Sequence, residues 1–284
     1  MNDHPVVWIT GAKGLIGNEL VRSANQFAPE FKARGLSRAD ADLLDFSAVE
    51  ALFQKERPQQ IIHCAALSNN VICEGEPALA QEQNVDVTRK LLELASHIPF
   101  LFFSTDLIFD GSKGNYVEED APNPLSVYGR TKVAAEELVR AHPQHAIVRI
   151  SITGGHSPRG NRGFNEEMKN AWRAGKALNL FVDEYRCAST ADVIARGVWD
   201  LVKKNARGTF HLCGAERLSR YRIGELMAAK HPELNPKING TSRNEYRGAP
   251  RPPDTSMDCT KAQGLLSFEI PRFSDWLARD TTGF

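Results

Sequence analysis

Tyr128 and Lys132 stand four residues apart in Ser126 to Ala141, a stretch with helical periodicity. That spacing puts a phenol and an ammonium on one helix face. A free phenol, with a pKa of about 10, is a poor acid or base near neutrality. A neighbouring ammonium stabilises the phenolate and draws the pKa toward the working range. Upstream, the apolar run Phe100 to Phe103 ends in Ser104-Thr105-Asp106. Polar residues at the carboxyl end of a strand in an open α/β sheet face the ligand crevice. A Thr105 hydroxyl placed there is suited to bond a carbonyl and to hold developing oxyanion charge. Taken singly, the Tyr-Lys pair is an ordinary helix end and the hydroxyl an ordinary turn cap. Their order along the chain, behind a glycine loop, is what one proton-transfer mechanism needs.

That loop is Thr10-Gly11-Ala12-Lys13-Gly14-Leu15-Ile16-Gly17, placed between a predicted strand and a predicted helix. Gly11 suits the tight turn, Gly14 a close approach to a pyrophosphate, and Gly17 close packing of helix on strand. The helix start then offers backbone donors and a positive dipole to the phosphates. A dinucleotide is the expected ligand, because the pattern has its required strand-turn-helix context. NAD-preferring sites place a carboxylate about 20 residues further on, at the end of the second strand. Here Ser37 and Arg38 occupy that place, and the first carboxylate is Asp40. Arg38 suits a 2′-phosphate, Ser37 can donate to it, and Lys13 adds positive charge. NADP(H) is therefore expected to be preferred, with NAD(H) possible if Asp40 or Asp42 swings in.

The elements that would position these groups alternate along the chain. Strands are predicted at Val6 to Thr10, Ala33 to Ser37, Gln60 to Cys64, Phe100 to Thr105 and Ala146 to Ser151. Helices are predicted between them at Leu15 to Phe27, Ser47 to Glu56, Pro77 to Ser96 and Ser126 to Ala141. Ser47 and Glu50 read as a capping box. Each step leaves room for one crossover, the signature of a parallel sheet covered on both faces. The expected fold is α/β, a doubly wound parallel sheet (Rossmann) with a small discontinuous substrate-binding lobe. Thr153 to Gly163 reads as a surface loop, and Gly248 to Pro253 as extended. A helix over Thr190 to Lys204 and a strand over Thr209 to Cys213 read as returning to the sheet. The dinucleotide-binding domain is expected over 1–151 plus 190–213, and the substrate-binding lobe over 152–189 plus 214–284.

The chain has 284 residues, with 35 basic and 35 acidic side chains. A neutral chain lacks the global field that draws nucleic acid or an anionic membrane. Five widely spaced cysteines with no CxxC pair argue against a disulfide framework or a zinc site and fit a reducing compartment. No apolar run approaches the ~20 residues that span a bilayer. The N-terminus does not read as a signal peptide, so a cytoplasmic protein is expected. The eight histidines show no metal spacing, and no metal is expected.

TGAKGLIG (Thr10 to Gly17), HCAA (His63 to Ala66), STDLIFDG (Ser104 to Gly111), YGRTK (Tyr128 to Lys132) and RPPDTSMD (Arg251 to Asp258) together resemble the extended short-chain dehydrogenases/reductases. Within that group the chain resembles the dTDP-4-dehydrorhamnose reductase family. The resemblance implies Thr105, Tyr128 and Lys132 as the catalytic set. It implies Gly11, Lys13, Gly14, Leu15, Ile16, Gly17, Ser37, Arg38, Cys64, Ala65, Ala66, Asn84, Tyr128 and Lys132 along the cofactor. It further implies Thr105 and Arg251 at a nucleotide-sugar substrate, Arg162 and Arg186 being further cationic candidates for its diphosphate. The implied activity is NAD(P)H-dependent reduction of a 4-keto nucleotide-diphosphate sugar by a monomer or homodimer. Leu107 departs from the family's usual Tyr. Glu19 matches an acidic position that some members use for a metal, but the other carboxylates are missing, and a solvated helix face is expected for it. The alternatives are a nucleotide-sugar epimerase or dehydratase, against which the lack of an acidic pair after Thr105 argues, and a dinucleotide-binding regulatory subunit of the same fold.

Overall fold

The computed structural model describes residues 4–284. Six strands form one sheet: β1 (Val6–Thr10), β2 (Lys32–Leu36), β3 (Gln60–His63), β4 (Phe100–Thr105), β5 (Ala146–Ile150) and β6 (Gly208–His211). Their spatial order is β2-β1-β3-β4-β5-β6, and every pair is parallel. The order reverses between β1 and β3, where doubly wound sheets open a ligand crevice at the strands' carboxyl ends.

The inner strands β1, β3, β4 and β5 are largely apolar because both faces are covered, whereas the edge strand β2 carries Lys32 and Arg34. Val7, Ile9, Ile62, Leu101, Phe103 and Val148 join Leu20, Ala24, Val198 and Trp199 in one core. These last four lie on α1 (Leu15–Phe27) and, counting helices here by the five that cover the sheet, α5 (Ala191–Lys203). The alternate residues Trp8, Ile61, Phe100, Phe102 and Ile147 point the other way. They meet α2 (Phe46–Glu56), α3 (Val87–Leu94) and α4 (Val127–Arg140) through Val49, Val87, Leu91, Ala135 and Val139. A third core, built on Phe164, Met168, Trp172, Ile223, Met227, Phe273 and Phe284, lies off the sheet.

Several local expectations are corrected. The cap of α2 is Asp45, whose carboxylate accepts from Ala48 N at 3.0 Å, rather than Ser47. The single helix expected over Pro77 to Ser96 is α-helical at Pro77–Gln81, widens to a π-turn at Glu82–Asp86, and resumes as α3. A short helix, Asn70–Gly75, was not anticipated. The segment expected as a surface loop begins with Thr153–Gly154 paired to Ser189–Thr190. Glu19 is not solvated; it is buried and held by Arg22 at 2.9 Å. Among the described residues, no helix is long and apolar enough to cross a membrane.

Candidate active site

The glycine loop lies at the carboxyl end of β1. Gly11 has φ +68°, and a side chain there would meet Ala65 N at 2.9 Å. Only glycine fits both the left-handed turn and that approach. Beneath it, Thr10 Oγ1 accepts from Cys64 N and Ala65 N, both at 3.1 Å, and bonds His63 Nδ1 at 2.7 Å. Thr10 thus ties the end of β1 to the segment after β3. Burial pushes His63 down to about 3, with the Lys132 charge adding to the shift, so this histidine is neutral. Burial also pushes the Cys64 thiol up. Leu15 and Gly17 are buried at the start of α1, Ile16 is partly buried, and Gly14 N donates to Gly11 O at 2.7 Å.

Asn84 sits on the π-turn. It accepts from Leu67 N at 2.8 Å and donates to Leu67 O and Thr131 Oγ1, each at 3.0 Å. Three bonds engage this buried amide, so it braces the segment following Ala66 against α4. The widened helix is what swings Asn84 to that position.

Thr105 ends β4 and Tyr128 opens α4. Ser126 caps α4, its Oγ accepting from Gly129 N at 3.1 Å. A side chain at Gly129 would come within 2.4 Å of Leu107 O, so glycine lets the first turn lie directly on the chain leaving β4. Tyr128 is thereby brought near the Thr105 hydroxyl. Burial, followed by the Asp106 charge, pushes the phenol well above its ordinary range. The phenol is protonated at neutral pH.

Lys132 lies one turn on, 2% exposed, with Nζ 3.9 Å from the centroid of the Phe102 ring. Burial lowers it to about 7, opposed by Glu136. Among the described residues its ammonium has no hydrogen-bond or ion-pair partner; the carboxylate of Glu136 is instead gripped bidentately by Arg149 at 3.0 and 2.9 Å.

Around Asp106 the arrangement is the reverse. This fully buried carboxylate receives Arg186 Nε and Nη2 at 2.5 Å each, Ser151 Oγ at 2.6 Å, Thr255 Oγ1 at 3.0 Å and Thr105 Oγ1 at 3.3 Å. Arg186 also approaches Glu184 at 3.6 Å. Glu184 in turn holds Arg251 at 3.2 Å. Arg186 is therefore held within the protein, while Arg162 lies exposed on its loop. Arg251 lies between the rings of Phe181 and Tyr246, 5.2 and 5.0 Å from their centroids. It borders a cavity of about 240 Å³ with Asn69, Asn70, Val71, Tyr246, Ala249 and Pro250. Arg220 was not anticipated. It is partly buried, with Nη1 enclosed and unpartnered, and desolvation lowers it to about 10, with Glu184 opposing and Arg186 and Arg251 assisting. Three guanidiniums thus gather on Asp106 and Glu184, with Glu167 and Arg162 at the edge.

At the end of β2, Asp40 accepts from Ser37 N and Ser37 Oγ, both at 2.8 Å, and from Arg34 at 2.9 Å. These bonds, Ser37's first, hold its carboxyl at about 2. Arg38 and Lys13 are exposed, and among the described residues neither has an ion-pair partner. Among the described residues, no group of three or more histidine, cysteine or acidic side chains is placed to hold a metal ion.

The family described as RmlD substrate binding domain matches residues 6–281. A methionine adenosyltransferase 2 subunit beta of Bos taurus is 29% identical over 273 residues, covering 91% of this chain and 82% of that one. A dTDP-4-dehydrorhamnose reductase of Sinorhizobium fredii is 29% identical over 282 residues, covering 94% and 93%. Among solved structures, a dTDP-4-dehydrorhamnose reductase from Bacillus anthracis in complex with NADP superposes with a TM-score of 0.88 at 23% identity, over 97% of this chain and 98% of that one.

Proposed function

The chain belongs to the RmlD substrate binding domain family, and from that premise we propose that it is an NADPH-dependent reductase of a 4-keto nucleotide-diphosphate sugar. The observation that carries this reading is the protonated Tyr128 phenol beside Thr105, with the unpartnered Lys132 one helical turn away. The tight Gly11 turn, packed directly on the Ala65 backbone, brings the uncapped start of α1 to the carboxyl end of β1, where its backbone N–H groups suit a dinucleotide phosphate. When bound, the nicotinamide supplies the hydride to the ketone carbon.

The protein's own groups do the rest. Thr105 positions the carbonyl oxygen. Tyr128 gives its proton to that oxygen as the charge develops. Lys132 would hold the nicotinamide ribose and, with that contact made, would carry positive charge one helical turn from the phenol. Asn84 keeps the Cys64 to Leu67 wall in place. Arg251, beside its cavity, contacts the substrate diphosphate by loosening from Glu184. In this reading 1–151 plus 190–213 bind the cofactor, and 152–189 plus 214–284 the substrate. The working unit is a cytoplasmic monomer or homodimer.

The test is NADPH oxidation with dTDP- and UDP-linked 4-keto hexoses, followed at the nicotinamide absorbance. Turnover that needs the nucleotide supports the reading. The similarity to methionine adenosyltransferase 2 subunit beta supports a second reading, a dinucleotide-binding regulatory subunit. NADPH binding without oxidation on any of these sugars would favour that one.

A further inference from the structure

Three of the five cysteines meet at one place that the proposed mechanism does not use. Cys187 ends the short strand Tyr185–Cys187, Cys213 lies two residues beyond β6, and Cys259 caps the helix Thr260–Gln263. Cys213 Sγ and Cys259 Sγ are 3.3 Å apart, although 46 residues separate them in sequence. Cys187 Sγ and Cys213 Sγ both address Met257 O, at 3.9 and 4.0 Å. The surroundings are apolar: Ile108, Phe109, Tyr116 and Met257. Access differs sharply within the group. Cys187 and Cys213 are buried, while Cys259 is only partly covered.

We propose that Cys259 and Cys213 form a reversible dithiol pair, in which Cys259 takes the oxidant and Cys213 resolves it to a disulfide. A disulfide bond is about 2.05 Å long, so roughly 1.2 Å of further approach closes the gap. The oxidant is a peroxide. The Cys259 sulfur attacks one peroxide oxygen, the O–O bond breaks, and Cys259 becomes a sulfenic acid with release of water. The Cys213 sulfur then attacks the Cys259 sulfur, the S–O bond breaks, and the thiol proton leaves with the hydroxyl as a second water. Two thiols lose two electrons and one peroxide gains them.

The link joins two parts of the molecule that matter to the site. Cys259 follows the segment in which Thr255 donates to Asp106 at 3.0 Å and Ser256 Oγ accepts from Asn115 N at 2.8 Å. Cys213 follows β6 in the main sheet. The disulfide therefore fastens the strap that reaches Asp106 to the sheet behind it.

The experiment reads thiols rather than turnover, so it stands or falls independently of the reductase reading. The fully reduced full-length chain is treated with one equivalent of hydrogen peroxide. The expected result is a fall from five free thiols to three, a Cys213–Cys259 linked peptide by mass spectrometry, and full reversal by dithiothreitol. Cys213→Ser should leave a sulfenic acid on Cys259 that dimedone traps, and Cys259→Ser should keep all its remaining thiols. Survival of all five wild-type thiols would overturn the proposal. A bond joining Cys187 to Cys213, or oxidation confined to Cys64 or Cys73, would overturn it equally.

Discussion

Two buried cations, Lys132 over Phe102 and Arg186 on Asp106, are treated in opposite ways. Arg186 is locked to Asp106 through two 2.5 Å bonds, with Glu184 behind it. Lys132 is equally buried but faces an aromatic ring and has no counter-ion of its own. A buried charge that is fully paired holds structure, and removing its partner leaves an uncompensated charge. A buried charge left unpaired lowers stability and strengthens whatever ligand completes it. The difference separates a cation fixed by its partners, Arg186, from one left open to a ligand, the role proposed for Lys132. It also separates two arginines in one chain of ion pairs. Arg186 is internal, whereas Arg251 is half-exposed, sits beside a cavity and is held by a longer 3.2 Å contact.

The sharpest test of the reactive side removes the proton rather than the charge. Tyr128→Phe should keep NADPH affinity within about twofold and lower kcat by ~10²–10⁴, the usual worth of a general acid. Steady-state kinetics with a 4-keto nucleotide sugar, beside a fluorescence titration of NADPH, checks both halves. An unchanged kcat would remove Tyr128 from the mechanism.

The scaffold side should fail differently. Arg186→Leu leaves Asp106 buried with three hydroxyl donors and no cation. The expected loss is about 3–5 kcal/mol of folding stability, read from urea unfolding. A loss under about 1 kcal/mol would erase the contrast between the two cations, since that is what a surface pair contributes.

Lys132 should show the opposite sign. Its pKa stands at about 7 in the folded protein, against an ordinary 10.5. Below pH 7 it is protonated in both states and the cost of burying its charge is fully present. Between pH 7 and the ordinary lysine value the folded protein sheds the proton and the unfolded chain keeps it, so stability gains as pH rises. Lys132→Met should therefore be more stable than the wild type at pH 6, by roughly 2–4 kcal/mol, with the gap closing toward pH 10. Thermal or urea unfolding at four pH values decides it. A gap that does not depend on pH would mean the lysine is not held as an unpaired cation.

The contrast also explains what could be read from the sequence. Tyr128 and Lys132 are one turn apart, and the glycine loop spans eight residues, so both are local patterns. The strands were legible to within a residue or two because their apolar runs carry the whole signal. Asp45 displaced Ser47 as a cap because both side chains suit the position, and only the path out of β2 chooses between them. The π-turn that carries Asn84 was invisible, since its cause is a set of bonds to Leu67 and Thr131 from elsewhere in the chain. The same holds for Asp106, whose five donors come from residues 105, 151, 186 and 255. Arg220 opens a helix behind an ordinary serine cap, and nothing in its neighbourhood marks its Nη1 as enclosed.

The smallest expected effect belongs to a cation that is unpaired but exposed. Arg38 has the freedom of Lys132 without its burial, so solvent weakens every contact it makes. The end of β2 is already organised around Asp40, which takes both donors of Ser37 and pairs with Arg34. A 2′-phosphate arriving there would meet a carboxylate held ionised at about 2. Ser37 can serve that phosphate only by releasing Asp40, which leaves Arg38 and Lys13 as the free cations nearest to it. Arg38→Ala should therefore weaken NADPH by about five- to tenfold, the worth of one solvent-facing charge-assisted bond, and leave NADH unchanged. Asp40→Asn should act the other way, tightening NADPH by removing the competing charge. Parallel titrations of both dinucleotides against the wild type and the two variants read these shifts directly. If Arg38→Ala weakened NADH as much as NADPH, the arginine would be supporting the loop rather than reading the phosphate. If Asp40→Asn left NADPH unchanged, the carboxylate would lie outside the cofactor's reach, and the choice of dinucleotide would rest on Arg38 and Lys13 alone.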